Sequence, residues 1–325
     1  MLQTRATLGD LGQRNAGPEF EQVFNQTDFA YQGKEVALKI FSFLNVDKST
    51  FRTTGTTGLP NLKRFDDGTP MPEALNIKTF ETAWDIDDQG IGVTVTDDCL
   101  KDRVRLEAKL SEFAQLSAAV PRSEVQSAFQ ILNGGFGTTS VVNGTKLTRY
   151  NSEALFSASH ARADGGTAQS NVSAGAIALT ELNLETGRLA LVQQLSDIGL
   201  ALMEMANVTL VVPDALQKTG AIITQSVLRA NTTNNDMNFY NSVNGSVDLL
   251  CSKFLNSNVG GSQTAWFLIA RLPGLDSVLR VYRDSAPEFK QELTADRTWN
   301  QFFGVKDRRI AGNSEFKTTW GSEGS

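Results

Sequence analysis

The chain is 325 residues long, with 40% hydrophobic and 20% charged residues, and 30 Lys and Arg stand against 36 Asp and Glu for a net charge of −6. That composition excludes a disordered polymer, and the acidic balance argues against a protein whose task is to grip a nucleic acid backbone, which needs a basic excess. One histidine and two cysteines exclude a His-rich metal centre and most acid–base schemes.

At this length two subdomains are expected, since a single core stops growing near about 250–300 residues. The start, Met1 to Arg5, lacks the apolar core of a signal peptide. No run approaches the roughly 20 apolar residues of a membrane span. A cytosolic protein is therefore expected, in which Cys99 and Cys251 are buried thiols and not a disulfide. The Asn-x-Ser/Thr triplets at Asn25, Asn143, Asn171 and Asn207 are then composition, not glycosylation sites.

Residues up to about 49 mix Gly, Gln, Asn and charges with scattered Phe and read as an arm that orders on something else. From Phe51 the signals turn to β structure. Gly55, Gly58 and Pro60 punctuate its start, and Asp67-Gly68 marks a turn. Phe80, Thr82, Trp84 and Ile86 fall on one face with Thr79, Glu81 and Asp85 on the other, and Ile91, Val93 and Val95 repeat that period of two. This excursion has too little apolar bulk for a core of its own, so its face must meet another domain or another chain. Asp97 and Asp98 cap a helix carrying Leu106, Leu110 and Phe113 on one side. Pro121 is expected to break that helix and open a second, with Val125, Phe129 and Leu132 as its stripe and Gly134-Gly135 as its end.

Residues 136 to about 174 read as loop. Beyond them a helix is expected over Leu182 to Met205, a buried strand at Thr209 to Val212, a helix from Pro213 to about Leu228 and a polar loop over Asn231 to Asn244. Strands follow at Val247 to Cys251, at Trp266 to Ala270 (buried on both faces) and at Leu279 to Val281. Phe302, Phe303 and Val305 precede what reads as a basic turn, Lys306 to Arg309. The order describes an α+β protein.

No catalytic motif emerges. His160 lies in Phe156-Ser157-Ala158-Ser159-His160 with no Gly-x-Ser-x-Gly elbow, and reads as structural. Gly134-Gly135-Phe136-Gly137 follows a helix and lacks the Lys-Ser/Thr of a phosphate cradle. The pairs Asp66-Asp67, Asp87-Asp88 and Asp97-Asp98 read as solvated turns and a cap. Lys63, Arg64, Asp66 and Asp67 put both charge signs near one turn, which suits a complementary contact on a neighbouring subunit.

Several ordered motifs carry a resemblance. Gly58-Leu59-Pro60, Asp67-Gly68-Thr69-Pro70, Gly90 to Thr96 and Leu100 to Arg103 come first. Ala154-Leu155-Phe156-Ser157-Ala158-Ser159-His160 follows, with Asp164-Gly165-Gly166 and Ser170 to Ser173. Leu210-Val211-Val212-Pro213, Asn234 to Asn238 and Ala265-Trp266-Phe267-Leu268 complete the series. Together they resemble the Mu-like major head subunit of tailed bacteriophages. The resemblance implies the tailed-phage major capsid fold: an N-terminal arm (1–49), an extended β-hairpin loop (50–97), a spine helix region of the peripheral domain (98–134), an axial domain (135–275) and peripheral-domain return strands to the C-terminus (276–325).

It also implies a structural protein without catalytic centre, metal or cofactor, which self-assembles into hexamers and pentamers of an icosahedral shell around double-stranded DNA. Implied partners are copies of itself, portal and scaffold proteins, and packaged DNA through weak non-specific contact, with no membrane. Assembly is expected in the host bacterial cytoplasm, with the product residing in the virion capsid. A nanocompartment shell of the same fold, a tail or baseplate component, and a hydrolase built on Ser159 and His160 are the competing readings.

Overall fold

The computed structural model of the chain describes residues 32–56, 61–64, 66, 69–73, 78–96, 98–99, 106–202, 208–227, 237–241, 247–271, 279–284, 287–293 and 300–325. The arm before residue 32, Gly58 to Pro60, Asp67-Gly68, Asp97, Leu100 to Arg103 and most of the polar loop after Leu228 lie outside the described residues. So do the side chains of Leu106, Leu110 and Phe113.

A short helix α1 (Gln32–Ala37) leads into β1 (Ser42–Asn45), then β2 (Thr50–Thr56), β3 (Lys78–Asp85) and β4 (Asp87–Val95). The long helix α2 (Leu106–Asn133) is followed by β5 (Val141–Val142), β6 (Thr145–Thr148), α3 (Glu181–Val192), β7 (Val208–Val212), α4 (Gln217–Gln225) and β8 (Val247–Cys251). The chain ends through β9 (Trp266–Ala270), β10 (Leu279–Arg283), β11 (Glu288–Leu293), β12 (Gln301–Asn313) and β13 (Thr319–Ser322).

Three sheets result. In the large one β12 is the axis: its first half pairs with β4 and β11, and its second half pairs antiparallel with β10 and parallel with β6. The second sheet has the order β13-β9-β7-β8, and β2 and β3 form a separate two-stranded ribbon. Helix α2 lies between the sheets. Val125, Ala128, Phe129 and Leu132, spaced three and four apart, are buried beside Val281 and Ala311 of the large sheet and Phe267 and Ile269 of the second. The other face of β9 turns Trp266, Leu268 and Ala270 toward Leu184 and Leu191 of α3. The expected burial of that strand on both sides is what the fold uses to join two cores.

Four expectations are corrected. Pro121 does not break the helix, because α2 runs continuously through it. The proline removes one backbone bond, but the buried stripe that follows it outweighs that loss. The helix at Leu182 ends at Val192, not Met205: its last turns give way to a bridge between Leu195 and Ala201 around Gly199, whose φ of +77° favours glycine. Lys306 to Arg309 is not a turn but the middle of β12, where each charge has a partner within reach. The stretch after Phe136 also contains the β5–β6 hairpin, turned by Asn143 and Gly144 at φ +48° and +75°.

Cys99 and Cys251 are both free; the first is buried and the second half-buried. Among the described residues no helix is long and apolar enough to cross a membrane.

Candidate assembly surface

The β2–β3 ribbon is fixed at its base and bare at its far end. At the base Phe51 stacks on Trp84 at 6.1 Å, and Tyr282 of β10 meets both rings edge-on at 4.9 and 4.7 Å. The Trp84 indole N–H donates to Thr53 Oγ1 at 2.7 Å. Lys146 on β6 pairs with Asp85 at 2.6 Å. Thr82, Trp84 and Ile86 are buried while Glu81, Ala83 and Asp85 are exposed, the alternation expected from their spacing. The ribbon's base therefore packs on its own body, and β4 leaves the excursion altogether to join the large sheet along β12.

Among the described residues between β2 and β3 that support is missing. Leu62 is fully exposed, Met71 is 74% exposed, and Lys63, Arg64 and Asp66 are exposed between them. Arg64 and Asp66 approach to 3.8 Å with both side chains in solvent, a pair worth little by itself. Asp67 lies outside the described residues. Of the charged residues singled out in the sequence, Lys63, Arg64 and Asp66 are thus brought to one exposed connection. Leu62 and Met71 were not singled out, although apolar residues among prolines and charges were the available signal. A second exposed apolar face lies on α3, where Leu182 and Leu189 are seven residues apart; Phe239 is exposed as well, under the Arg188 guanidinium at 5.5 Å.

His160 and Cys251 are committed elsewhere. His160 is 2% exposed, with Nδ1 at 3.0 Å from Glu153 Oε2 and Nε2 at 3.0 Å from Asn171 Oδ1, and its ring stacks on Phe316 at 3.8 Å. Asn171 is held in turn, accepting from the Ser157 N–H and donating to the Leu155 carbonyl. Both imidazole nitrogens are taken up by Glu153 and Asn171, so neither is offered to Ser159. Burial, with Asp214 as hydrogen-bond acceptor, pushes the Cys251 thiol up to about 12, which makes it a poor nucleophile. No group of three His, Cys, Asp or Glu suited to a metal ion occurs among the described residues. Asp87-Asp88 is no solvated turn: it opens β4, and Asp88 bridges Lys306 and Arg308 at 2.7 and 2.8 Å.

A family model described as phage capsid protein matches residues 79–314. No curated protein matches the chain. Among solved structures, the acidic stable capsid of Helicobacter pylori bacteriophage KHP30 superposes with a TM-score of 0.52 at 8% identity, covering 87% of this chain and 86% of that one. The capsids of an empty and a native GTA particle each give 0.51, at 10% and 12% identity, covering 88% of this chain and 88% and 89% of theirs. At such identities the likeness is one of fold.

Proposed function

The chain belongs to the phage capsid protein family, and from that membership we propose that it is the major head subunit whose copies close an icosahedral shell of hexamers and pentamers around double-stranded DNA. It has the tailed-phage capsid fold and is a structural protein, not an enzyme. The observation that carries the shell reading is the β2–β3 ribbon. Its base is locked by Trp84 and Tyr282, while its far end presents Leu62, Lys63, Arg64, Asp66 and Met71 to solvent. A long exposed connection with apolar residues gains nothing in an isolated molecule, whereas draped over a sister subunit it supplies contact area and charge register.

On this reading Lys63, Arg64, Asp66 and Asp67 are inter-subunit contacts. The divisions are an arm over 1–49, an extended loop over 50–97 whose last strand, β4, returns to the large sheet, a spine region over 98–134, an axial domain over 135–275 and return strands over 276–325. The ordered motifs from Gly58 to Leu268 support placement with Mu-like head subunits. The acidic balance suits a container through which DNA must slide, with portal and scaffold proteins as further partners and assembly in the host cytoplasm. Repeated heterologous contacts close a shell when the rotation closes. Electron microscopy of the purified chain tests the proposal. Closed shells are the expected product; tubes, open rings or a persistent monomer at high concentration would overturn it.

A further inference from the structure

Lys317 lies in the short link between β12 and β13, and its ammonium is almost wholly removed from water. Nζ stands 2.8 Å from Asp197 Oδ2, in the turn after α3, and 3.0 Å from Glu315 Oε2. Side-chain exposure is 4% for Lys317, 6% for Asp197 and 16% for Glu315. The Phe316 ring flanks Nζ at 5.4 Å and is itself covered by His160. Other polar groups face the cluster: Arg162 reaches the Asp197 carbonyl at 3.4 Å, the Ala163 N–H lies 3.5 Å from Asp197 Oδ1, and the buried Tyr150 phenol feels both carboxylates. One cation thus serves two carboxylates in a dry site, an arrangement in which desolvation opposes the ion pair.

We infer that Lys317 and Asp197 are joined by an intramolecular isopeptide bond, with Glu315 as the group that moves the protons. The ammonium passes one proton across the 2.8 Å contact to Asp197 Oδ2, leaving a neutral amine beside a neutral acid. The amine nitrogen attacks Asp197 Cγ and forms the N–C bond. Glu315, 3.0 Å from the nitrogen, takes its second proton and delivers it to Oδ2, which departs as water when the Cγ–Oδ2 bond breaks. One ammonium and one carboxylate become one amide and one water; charge balances and nothing is oxidised. Oδ1 remains as the amide oxygen near the Ala163 N–H. Burial raises the Glu315 carboxyl above its ordinary value, which brings a proton shuttle closer to neutral pH, and the 2.8 Å contact of Nζ with Oδ2 holds the amine beside the carboxyl it must attack. The product ties the turn after α3 to the entrance of β13 and closes a long covalent loop, which restricts the unfolded chain as a disulfide does.

This chemistry is complete within one chain and does not depend on what the chain assembles into. Intact mass spectrometry of the purified full-length protein tests it. The expected mass is one water below that of the linear sequence, and digestion should yield one branched peptide containing Lys317 and Asp197. Glu315→Gln, shown by circular dichroism to be folded, should keep the full mass. A folded wild-type chain that retains the linear mass after prolonged incubation at neutral pH overturns the bond, and this reading stands even where the variant does not fold. A folded Glu315→Gln that loses water as fast as wild type removes Glu315 from the mechanism.

Discussion

Asp88 shows how much a single exposed carboxylate can do in the right register. It opens β4 opposite the charged middle of β12, and the hydrogen bond from Lys306, with a further one from Arg308, holds its carboxyl below the ordinary value. An acid whose pKa is lowered by folding contributes stability above its unfolded value, and that stability is lost as pH falls through the folded one. Asp88→Asn should therefore lower the melting temperature slightly at neutral pH. The gap from wild type should close in acid below about pH 4, the unperturbed carboxylate range, and shrink in high salt, because the pair is solvent-exposed. Melting curves at neutral and acid pH, each at two salt concentrations, check both trends. Trp84 is the opposite case. It is 1% exposed, sandwiched by Phe51 and Tyr282, and its N–H is satisfied. Trp84→Ala should cost about 3–5 kcal/mol, the range for emptying a large aromatic site, read as a fall in ΔG from urea unfolding.

Among the elements, the β4–β12 pair depends on a glycine for space and not for backbone freedom. A Cβ on Gly92 would run into the Phe302 ring and lie 2.8 Å from the Phe303 carbonyl oxygen, and this second contact, with backbone, is one that no rotamer relieves. Gly92→Val should open the pairing of Gln301 to Arg309 with Asp87 to Val95, which hydrogen exchange of the β12 amides would report as faster exchange than in wild type. These strands were legible in part. Alternation over Phe80 to Ile86 named the buried face of β3 correctly, and the apolar run Trp266 to Ala270 named a strand covered on both sides. The charged run Lys306 to Arg309 was illegible as strand because its partners, Asp88 and Gln89, lie some 220 residues away in the chain. Local charge density signals a turn unless distant neutralisation is known. Pro121 misled for the same kind of reason: its local cost is real, and the packing that overrides it comes from both sheets. His160 read as structural from its motif-poor surroundings, but its Phe316 stack joins residues far apart in sequence and no period announces it.

At the scale of the whole molecule, the fold separates what holds one copy together from what is left over for others. The cores on either side of β9 and the seal around Trp84 are closed by elements of this one chain, with Trp84, Trp266 and Phe267 almost wholly buried. The described residues at the ribbon's far end are outside all of them, which is the physical reason the sequence pointed to a neighbouring chain or domain for that stretch. That separation makes a sharp prediction. Lys63→Glu with Arg64→Glu replaces two exposed cations that support no buried group among the described residues, so folding stability should change by no more than about 0.5 kcal/mol. If those side chains set the register of one subunit on the next, the same variant should assemble poorly, because like charges brought together at an interface cost more than the original contact contributed. Sedimentation velocity gives the fraction in particles and urea unfolding gives the stability of the free chain. Wild-type assembly should also slow as salt rises, since exposed charges are screened beyond about 10 Å at moderate ionic strength, and the variant should have lost that dependence. Normal particle yield from the doubly reversed chain would remove these two residues from the interface and leave Leu62 and Met71, the exposed apolar side chains flanking them, as the part of the ribbon that meets the next subunit.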